Sequence, residues 1–291
     1  DDSASRGLGD VYKRQSPVVP KTFITNRENF LEDLNEEDLF LEYATCLRMS
    51  ELGYMSKAQD NLYIAYNDID EYLKDLKHAL TKEHKRYGEV GVLKDGKRIQ
   101  INTSIIQIEN EYYSSIRPKR VTPPGERPLN ILRAEGIDYV EIRALDNNSF
   151  LPSGIDEDTS YFLEAYLIGC FFGEDKKSSQ DEIKELLVNW ENVVKEGRNP
   201  DLKILKNKEK ITVKDSGMKV IDYLREVFEQ MPSEMSGYVE KVMKSLNKQE
   251  EKLNDASLTP SGRIVSELQN NNKTWEAVSY THLTLPTKEG G

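Results

Sequence analysis

A glutamate and an arginine stand two residues apart in a short apolar segment, GIDYVEIRALD, at residues 136–146. Side chains alternate between the two faces of a β-strand, so a strand here places Glu141 and Arg143 side by side with Tyr139. Charged groups on an apolar strand are costly unless they meet a partner, a metal or a ligand. The pair therefore predicts either a cross-strand ion pair or a site for a charged ligand.

A helix is predicted upstream, where NDIDEYLKDLKHALTKEHKRYG occupies residues 67–88. Asn67 or Asp68 can cap its first turn, and acidic residues there favour a helix N-terminus. One apolar stripe follows the helical period at Ile69, Tyr72, Leu73, Leu76 and Leu80. For the two histidines near its end, His78 and His84, we expect solvated side chains and not metal ligands.

Two β-prone runs, joined by Asp95 and Gly96, predict a hairpin over residues 89–108. In the second run Gln100, Asn102 and Ser104 would share one face and isoleucines the other. The polar face could then hydrogen-bond a polar ligand or solvent.

Amphipathic helices are predicted to follow the strands, at about 157–172, 180–195, 217–231, 234–253 and 260–272. For the first of these, the apolar side is predicted to carry Phe162, Leu163, Tyr166 and Leu167. Antiparallel strands in the middle of the chain with helices after them indicate the α+β class.

The formal net charge of −11 argues against a general binder of nucleic acid or of anionic membranes, since phosphate contact requires a basic face. The one compact basic run, IRPKR at 116–120, is predicted to be a solvated loop or an anion contact. Two cysteines, Cys46 and Cys170, are too few for a disulfide framework and fit a reducing cytoplasm. No apolar run reaches the roughly 18 residues that cross a bilayer.

Several long motifs carry a resemblance to a known family. QINTSIIQIENEYYSSIRPKR at 100–120 and GIDYVEIRALDNNSF at 136–150 closely resemble the C-terminal half of the catalytic domain of bacterial glutamate–cysteine ligase. LEYATCLRMSELGYMSKAQDN at 41–61, VNWENVVKEGRNP at 188–200 and, more weakly, LTPSGRIVSEL at 258–268 extend the similarity. It covers most of residues 16–277, which we interpret as the C-terminal portion of that catalytic domain.

The terminal segments 1–15 and 278–291 fit neither the family nor an amphipathic pattern. Composition alone favours natural disordered termini for both. The abrupt loss of resemblance instead favours translated linker, and we leave both segments out of the fold argument.

The resemblance implies a glutamine-synthetase-like antiparallel sheet and an ATP-dependent ligation of L-glutamate to L-cysteine, the first step of glutathione biosynthesis. In this chemistry the γ-carboxylate is activated as γ-glutamyl phosphate and attacked by the cysteine amine. Glu141 is implied as a ligand of Mg2+, a hard cation that prefers carboxylate oxygen. Arg143 is implied as the catalytic residue that contacts the transferring phosphoryl group or a nucleotide phosphate.

Recognition of the cysteine substrate is implied for three further residues. Arg48 and Tyr113 match family residues that bind its carboxylate, and Tyr54 matches a residue that lines its pocket. Without the resemblance, each would be interpreted as an ordinary packing or surface side chain. Cys46 has no histidine pattern to support a nucleophile and is predicted to be a small buried residue. The same motifs contain four residues whose roles we leave open: Gln107, Asn110, Glu111 and Arg117.

Two other functions remain open from the sequence. Another carboxylate–amine ligase of the same superfamily would keep Glu141 and Arg143 but need a different acceptor pocket. A non-catalytic binding module would need neither role. The family's N-terminal metal-binding region has no counterpart here, so we expect this chain alone to be inactive.

Overall fold

The structure is a computed structural model that describes residues 16–23, 31–50, 52–53, 57–59, 62–271 and 273–281. The predicted site residue Tyr54 and the terminal segments 1–15 and 282–291 lie outside the described residues. Helices and small antiparallel sheets alternate along the chain, with the longer helices after residue 156, which confirms the predicted α+β class. No helix among the described residues is both long and apolar enough to span a membrane.

The α-helices in the described part of the chain are α1 Ile69–Thr81, α2 Lys85–Val90, α3 Pro128–Glu135, α4 Glu157–Phe172, α5 Gln180–Glu196, α6 Val213–Glu229, α7 Ser236–Asn254, α8 Pro260–Asn271 and α9 Trp275–Thr281. The strands are β1 Val18–Pro20, β2 Glu32–Asp33, β3 Asp38–Phe40, β4 Leu93–Lys94, β5 Lys97–Arg98, β6 Ile116–Lys119, β7 Tyr139–Ile142, β8 Lys203–Lys206 and β9 Glu209–Thr212.

The chain divides into two compact units. The first comprises residues 1–53, 146–175 and 186–291, and the second comprises residues 54–145 and 176–185. Among the described residues, the first unit holds β1–β3, β8–β9, α4 and α6–α9, and the second holds α1–α3 and β4–β7. Helix α5 begins in the second unit and continues into the first.

In the first unit, β3 pairs with both β1 and β2 in an antiparallel sheet. The carboxylate of the buried residue Asp38 accepts a hydrogen bond from Trp275 N at 2.8 Å, at the start of α9. Helix α9 continues past the predicted boundary at 277, and Val278 is buried beside Trp275. The apolar cluster that joins β1 and β3 to α8 and α9 consists of Val18, Phe40, Ile264, Val265, Leu268, Trp275 and Val278.

A second apolar cluster of the first unit lies between α4, α6 and α7, at Ala165, Ile221, Leu224, Phe228, Val242 and Leu246. The predicted apolar side of α4 is partly wrong. Phe162 packs against this cluster, but Tyr166 and Leu167 are exposed. Nearly every position in the second half of α4 is apolar, so periodicity could not identify the face that packs.

The second unit is built around α1, which Asp68 caps by accepting a hydrogen bond from Glu71 N at 2.8 Å. The predicted stripe is confirmed, because Tyr72, Leu73 and Leu76 are buried. The helix ends at Thr81, earlier than predicted. Residues 82–84 are not helical there, since they exchange backbone hydrogen bonds with residues 103–105.

The predicted hairpin at Asp95-Gly96 is confirmed, and both turn residues have positive φ, at 52° and 74°. Its second strand stops at Arg98, so the predicted polar strand face is wrong. Residues 99–105 form a loop in which Gln100 Nε2 donates to Tyr87 O and Gly91 O, each at 2.8 Å. Asn102 Nδ2 donates to Gln107 O at 3.1 Å. These amides satisfy the local backbone instead of facing a ligand.

Candidate functional site

Arg48 lies in a short helical turn, Leu47–Met49, and is 5% exposed. Its Nε and Nη2 donate to the same oxygen, Asp146 Oδ1, at 2.9 and 2.6 Å. Both partners belong to the first unit. A guanidinium this deeply buried needs a charged acceptor, because the desolvation cost of an unpaired one is several kcal/mol. Asp146 supplies that acceptor, and the sequence prediction missed it.

The segment that carries Arg48 is held by the C-terminal end of α5. Thr45 N donates to Val194 O at 2.9 Å. Arg198, just after that helix, donates from Nε to Ala44 O at 2.9 Å and from Nη2 to Glu42 O. These bonds fix the backbone on the N-terminal side of Arg48.

Cys46 lies beside the same ion pair. Burial raises the pKa of its thiol far above the usual range, and the Asp146 charge and a hydrogen bond to Asp146 raise it further. The thiol is 3% exposed. A buried, protonated thiol is a poor nucleophile, which agrees with the interpretation of Cys46 as a packing residue.

In the second unit, strands β6 and β7 form a two-stranded antiparallel ribbon that brings Glu141 opposite Arg117. Lys119 stands opposite Tyr139, so all four of these residues share one face of the ribbon. Lys119 Nζ is 3.9 Å from Glu141 Oε2. The predicted loop at 116–120 is therefore wrong, since Ile116–Lys119 is a strand. Pro118 is tolerated because the ribbon has only two strands.

The predicted strand at 139–144 is confirmed only as far as Ile142. Arg143 follows it, and its backbone N–H donates to Ser115 O at 2.7 Å. The guanidinium of Arg143 lies over the ring of Tyr113, 4.1 Å from the centroid. Its N–H groups lie in the guanidinium plane, so stacking through the face does not use them. The structure thus brings together two residues that were predicted separately.

Arg117 connects the ribbon to the segment before Tyr113. Its Nη2 donates to Tyr112 O, and its Nη1 is 3.5 Å from Asn110 Oδ1. Partial burial lowers the pKa of Arg117, the nearby Arg143 charge lowers it further, and Glu141 opposes both effects. Arg143 and Glu141 therefore both lie within electrostatic range of Arg117.

Glu141 Oε2 is inaccessible to solvent and accepts no hydrogen bond, although the side chain as a whole is 42% exposed. A carboxylate oxygen without a donor suits a hard cation. Among the described residues, no cluster of three or more His, Cys, Asp or Glu side chains could hold a metal ion. If Glu141 bound Mg2+, it would be a single protein carboxylate, and phosphate oxygens or water would supply the other ligands, a common arrangement for this ion.

Gln107 and Glu111, whose roles the sequence left open, brace the same loop. Gln107 Oε1 accepts from Ile101 N at 2.7 Å, and Glu111 Oε2 accepts from Gln107 N at 2.6 Å. With the Arg117 contact to Asn110, these bonds shape the 100–112 segment that leads into Tyr113.

Two fixed groups of side chains result. Arg48, Asp146 and Cys46 belong to the first unit. Tyr113, Arg117, Lys119, Glu141 and Arg143 belong to the second. Together with the mixed α and β architecture, the second group defines a domain suited to binding a polyanion.

Residues 14–193 match the family model described as glutamate–cysteine ligase, and the chain belongs to that family. The glutamate–cysteine ligase of Pseudomonas putida is 42% identical over 253 residues, which are 87% of this chain and 48% of the relative. That of Janthinobacterium sp. is 38% identical over 261 residues, or 90% of this chain and 49% of the relative. The chain therefore spans about half the length of the curated relatives it matches.

Two solved structures are also similar. Glutamate–cysteine ligase from Francisella tularensis, crystallised in complex with AMP, has a TM-score of 0.81 and 34% identity, covering 96% of this chain and 58% of that chain. A bifunctional glutathione synthetase from Pasteurella multocida shares the fold, with a TM-score of 0.52 and 17% identity over 81% of this chain and 26% of its own. The resemblance seen in the sequence is confirmed.

Proposed function

We propose that this chain is the portion, over residues 16–277, of an ATP-dependent glutamate–cysteine ligase that contributes cationic and carboxylate groups for phosphoryl transfer and an arginine for the cysteine substrate. The whole enzyme would join the γ-carboxylate of L-glutamate to the amine of L-cysteine through γ-glutamyl phosphate. This is the first step of glutathione synthesis, and we place it in the cytoplasm.

The observation that carries the proposal is the charge arrangement on the β6–β7 ribbon. Arg117 and Lys119 lie beside a single carboxylate, Glu141, and Arg143 lies within electrostatic range of Arg117, in a chain whose net charge is −11. Repulsion between Arg117 and Arg143 is relieved when an anion lies between them. The AMP complex of the Francisella relative supports a nucleotide phosphate as that anion.

On the second unit we assign Arg143 to the transferring phosphoryl group. Its stacking on Tyr113 fixes the guanidinium plane before any ligand arrives, which reduces reorganisation during the reaction. Arg117 holds the Tyr113 segment in place through the Tyr112 carbonyl. Glu141 would hold Mg2+ through Oε2, which accepts no hydrogen bond, and the ion would neutralise phosphate charge. Tyr113 keeps its predicted contact with the cysteine substrate.

On the first unit we assign Arg48 to the carboxylate of cysteine. An arginine already held through Nε and Nη2 loses little side-chain entropy when it binds an anion. Bidentate recognition of carboxylate is the geometry that arginine offers and lysine does not.

The test uses this chain and a full-length chimera in which residues 16–281, which keep α9 and Val278, are joined to the part of the Pseudomonas putida enzyme that they do not match. We expect ATP-dependent formation of γ-glutamylcysteine by the chimera and none by this chain. Glu141→Gln in the chimera should lower turnover by about 100-fold, the scale of one preorganised electrostatic group.

Glu126→Gln is the control, because Glu126 is exposed on a loop of the same unit. Turnover of the Glu141→Gln chimera equal to that of the control, across a Mg2+ titration, would show that Glu141 is a structural ion-pair partner. Turnover by this chain alone would refute the expected inactivity.

A further inference from the structure

The outer face of α4 is apolar and uncovered. By helical period, Leu163, Tyr166, Leu167, Cys170 and Phe171 lie on one side of the helix. Phe171 is 84% exposed and the neighbouring Phe172 is 60% exposed. Tyr166 and Leu167 are also exposed, and the rings of Phe171 and Phe172 contact each other at 5.4 Å between centroids. A contiguous exposed apolar face of this kind marks an interaction surface.

Helix α4 cannot rotate to bury this face, because its inner face is fixed. Ala165 is fully buried between α6 and α7. Tyr223 Oη donates to Gly169 O at 2.9 Å. A Cβ atom at Gly169 would lie 2.3 Å from Leu224 Cδ2, so a larger residue there would require the buried Leu224 side chain to shift. A helix that is apolar on both sides is normally buried on both sides.

We propose that the outer face of α4 is the docking surface for the half of a glutamate–cysteine ligase polypeptide that has no counterpart in this chain. The 253 matched residues are only 48% of the Pseudomonas putida relative, so roughly as much polypeptide again is present in that protein. A polypeptide of that size supplies enough apolar side chains to cover one helix face.

A second copy of this chain is the less favourable occupant. Each copy carries a formal net charge of −11, so association of two copies brings like charges together. The proposal rests on family membership and not on the proposed activity, so an inactive chimera would leave it standing.

Cys170 lies on the proposed surface and provides the measurement. It is exposed in this chain, whereas the other cysteine, Cys46, is buried and serves as the internal reference. We would measure the alkylation rate of each cysteine with N-ethylmaleimide in this chain and in the full-length chimera, by mass spectrometry of the peptides. We expect Cys170 to react about 100-fold more slowly in the chimera, as for a side chain that is exposed only by local opening.

The control is Glu240→Cys, at an exposed position of α7, which should react at similar rates in both proteins. Protection of Cys46 in the chimera reports that the chimera has folded. Equal reactivity of Cys170 in both proteins would overturn the proposal.

A measurement on this chain alone does not depend on the chimera. Phe171→Lys, which places a cation at the C-terminal end of α4 where the helix dipole favours it, should not lower the urea midpoint, and the chain should sediment as a monomer at micromolar concentration. A lowered midpoint would mean that the face is already covered within this chain. A dimer abolished by Phe171→Lys would make a second copy the occupant. Either result contradicts the proposal.

Discussion

Removing the carboxylate of Asp146 tests whether the Arg48 ion pair anchors the first unit. In Asp146→Ala, Arg48 loses the oxygen that accepts hydrogen bonds from both its Nε and its Nη2. Arg48 is only 5% exposed, so its buried guanidinium loses this charged partner. Breaking a buried ion pair from one side costs roughly 3–5 kcal/mol. The Asp146 side chain is 25% exposed, so water can partly replace it. We therefore expect Asp146→Ala to lower the free energy of unfolding by an amount at the lower end of this range, about 3 kcal/mol.

The assay is urea unfolding followed by tryptophan fluorescence. Trp190 and Trp275, the two tryptophans of the chain, both belong to the first unit. Fluorescence therefore reports the unfolding of the unit that contains Arg48 and Asp146, without contribution from the second unit. Circular dichroism reports both units.

The double variant Arg48→Ala, Asp146→Ala, together with the two single variants, forms a double-mutant cycle. It removes the buried charge together with its partner, so its cost should be less than the sum of the two single costs. Glu191→Ala is the matched control, since it breaks the surface pair with Lys195 at 2.8 Å and should cost no more than about 0.5 kcal/mol. If Asp146→Ala costs no more than Glu191→Ala, or the two single costs are additive, the anchoring role is refuted.

Two further predictions concern the acceptor arginine and acid stability. In the chimera, Arg48→Ala should raise the KM for cysteine by roughly 10- to 150-fold, the loss of a charge-assisted contact of about 1.5–3 kcal/mol. The KM values for ATP and glutamate should change much less, and Tyr113→Phe should show a milder form of the same selectivity. An equal rise in the KM values for all three substrates would point to misfolding and contradict the assignment of Arg48. In this chain, the hydrogen bond from Lys177 and then that from Glu71 N hold the pKa of Asp68 below its usual value. Its contribution to stability is therefore present above about pH 4 and lost as the pH falls through the folded pKa. Asp68→Ala should lower the urea midpoint of the circular dichroism transition at pH 6. Between pH 5 and pH 3, the midpoint of this variant should fall by less than that of the parent. The exposed-loop control Glu126→Ala should have the same midpoint as the parent at every pH.

Elements with strong local signals could be predicted from the sequence. The cap at Asp68 and the stripe through Tyr72 and Leu76 fixed α1 because both act within a few residues. The Asp95-Gly96 turn fixed the hairpin for the same reason. The hairpin at β8–β9 was missed because its turn residues, Asn207 and Lys208, adopt positive φ without a glycine.

The candidate site was predictable only in part. Family resemblance selected Glu141, Arg143, Tyr113 and Arg48, but not the partners that hold them. Asp146 is 98 positions from Arg48, and nothing local links the two. Arg117 and Glu141 became cross-strand neighbours only because Ile116–Lys119, a basic run with a proline, pairs as a strand. Such pairings depend on long-range register, which single-sequence patterns do not specify.

The hydrogen bond between Asp38 and Trp275 N has a consequence for biosynthesis. Its partners are 237 positions apart, so a ribosome working at about 5–20 residues per second takes roughly 12–50 s between making one and the other. The apolar core of the second unit, by contrast, lies entirely within residues 64–132 and can close early. During that interval Val18 and Phe40 lack the helices that cover them. The nascent first unit is therefore the part of this chain whose apolar residues stay uncovered longest during synthesis, and slower translation would lengthen that exposure.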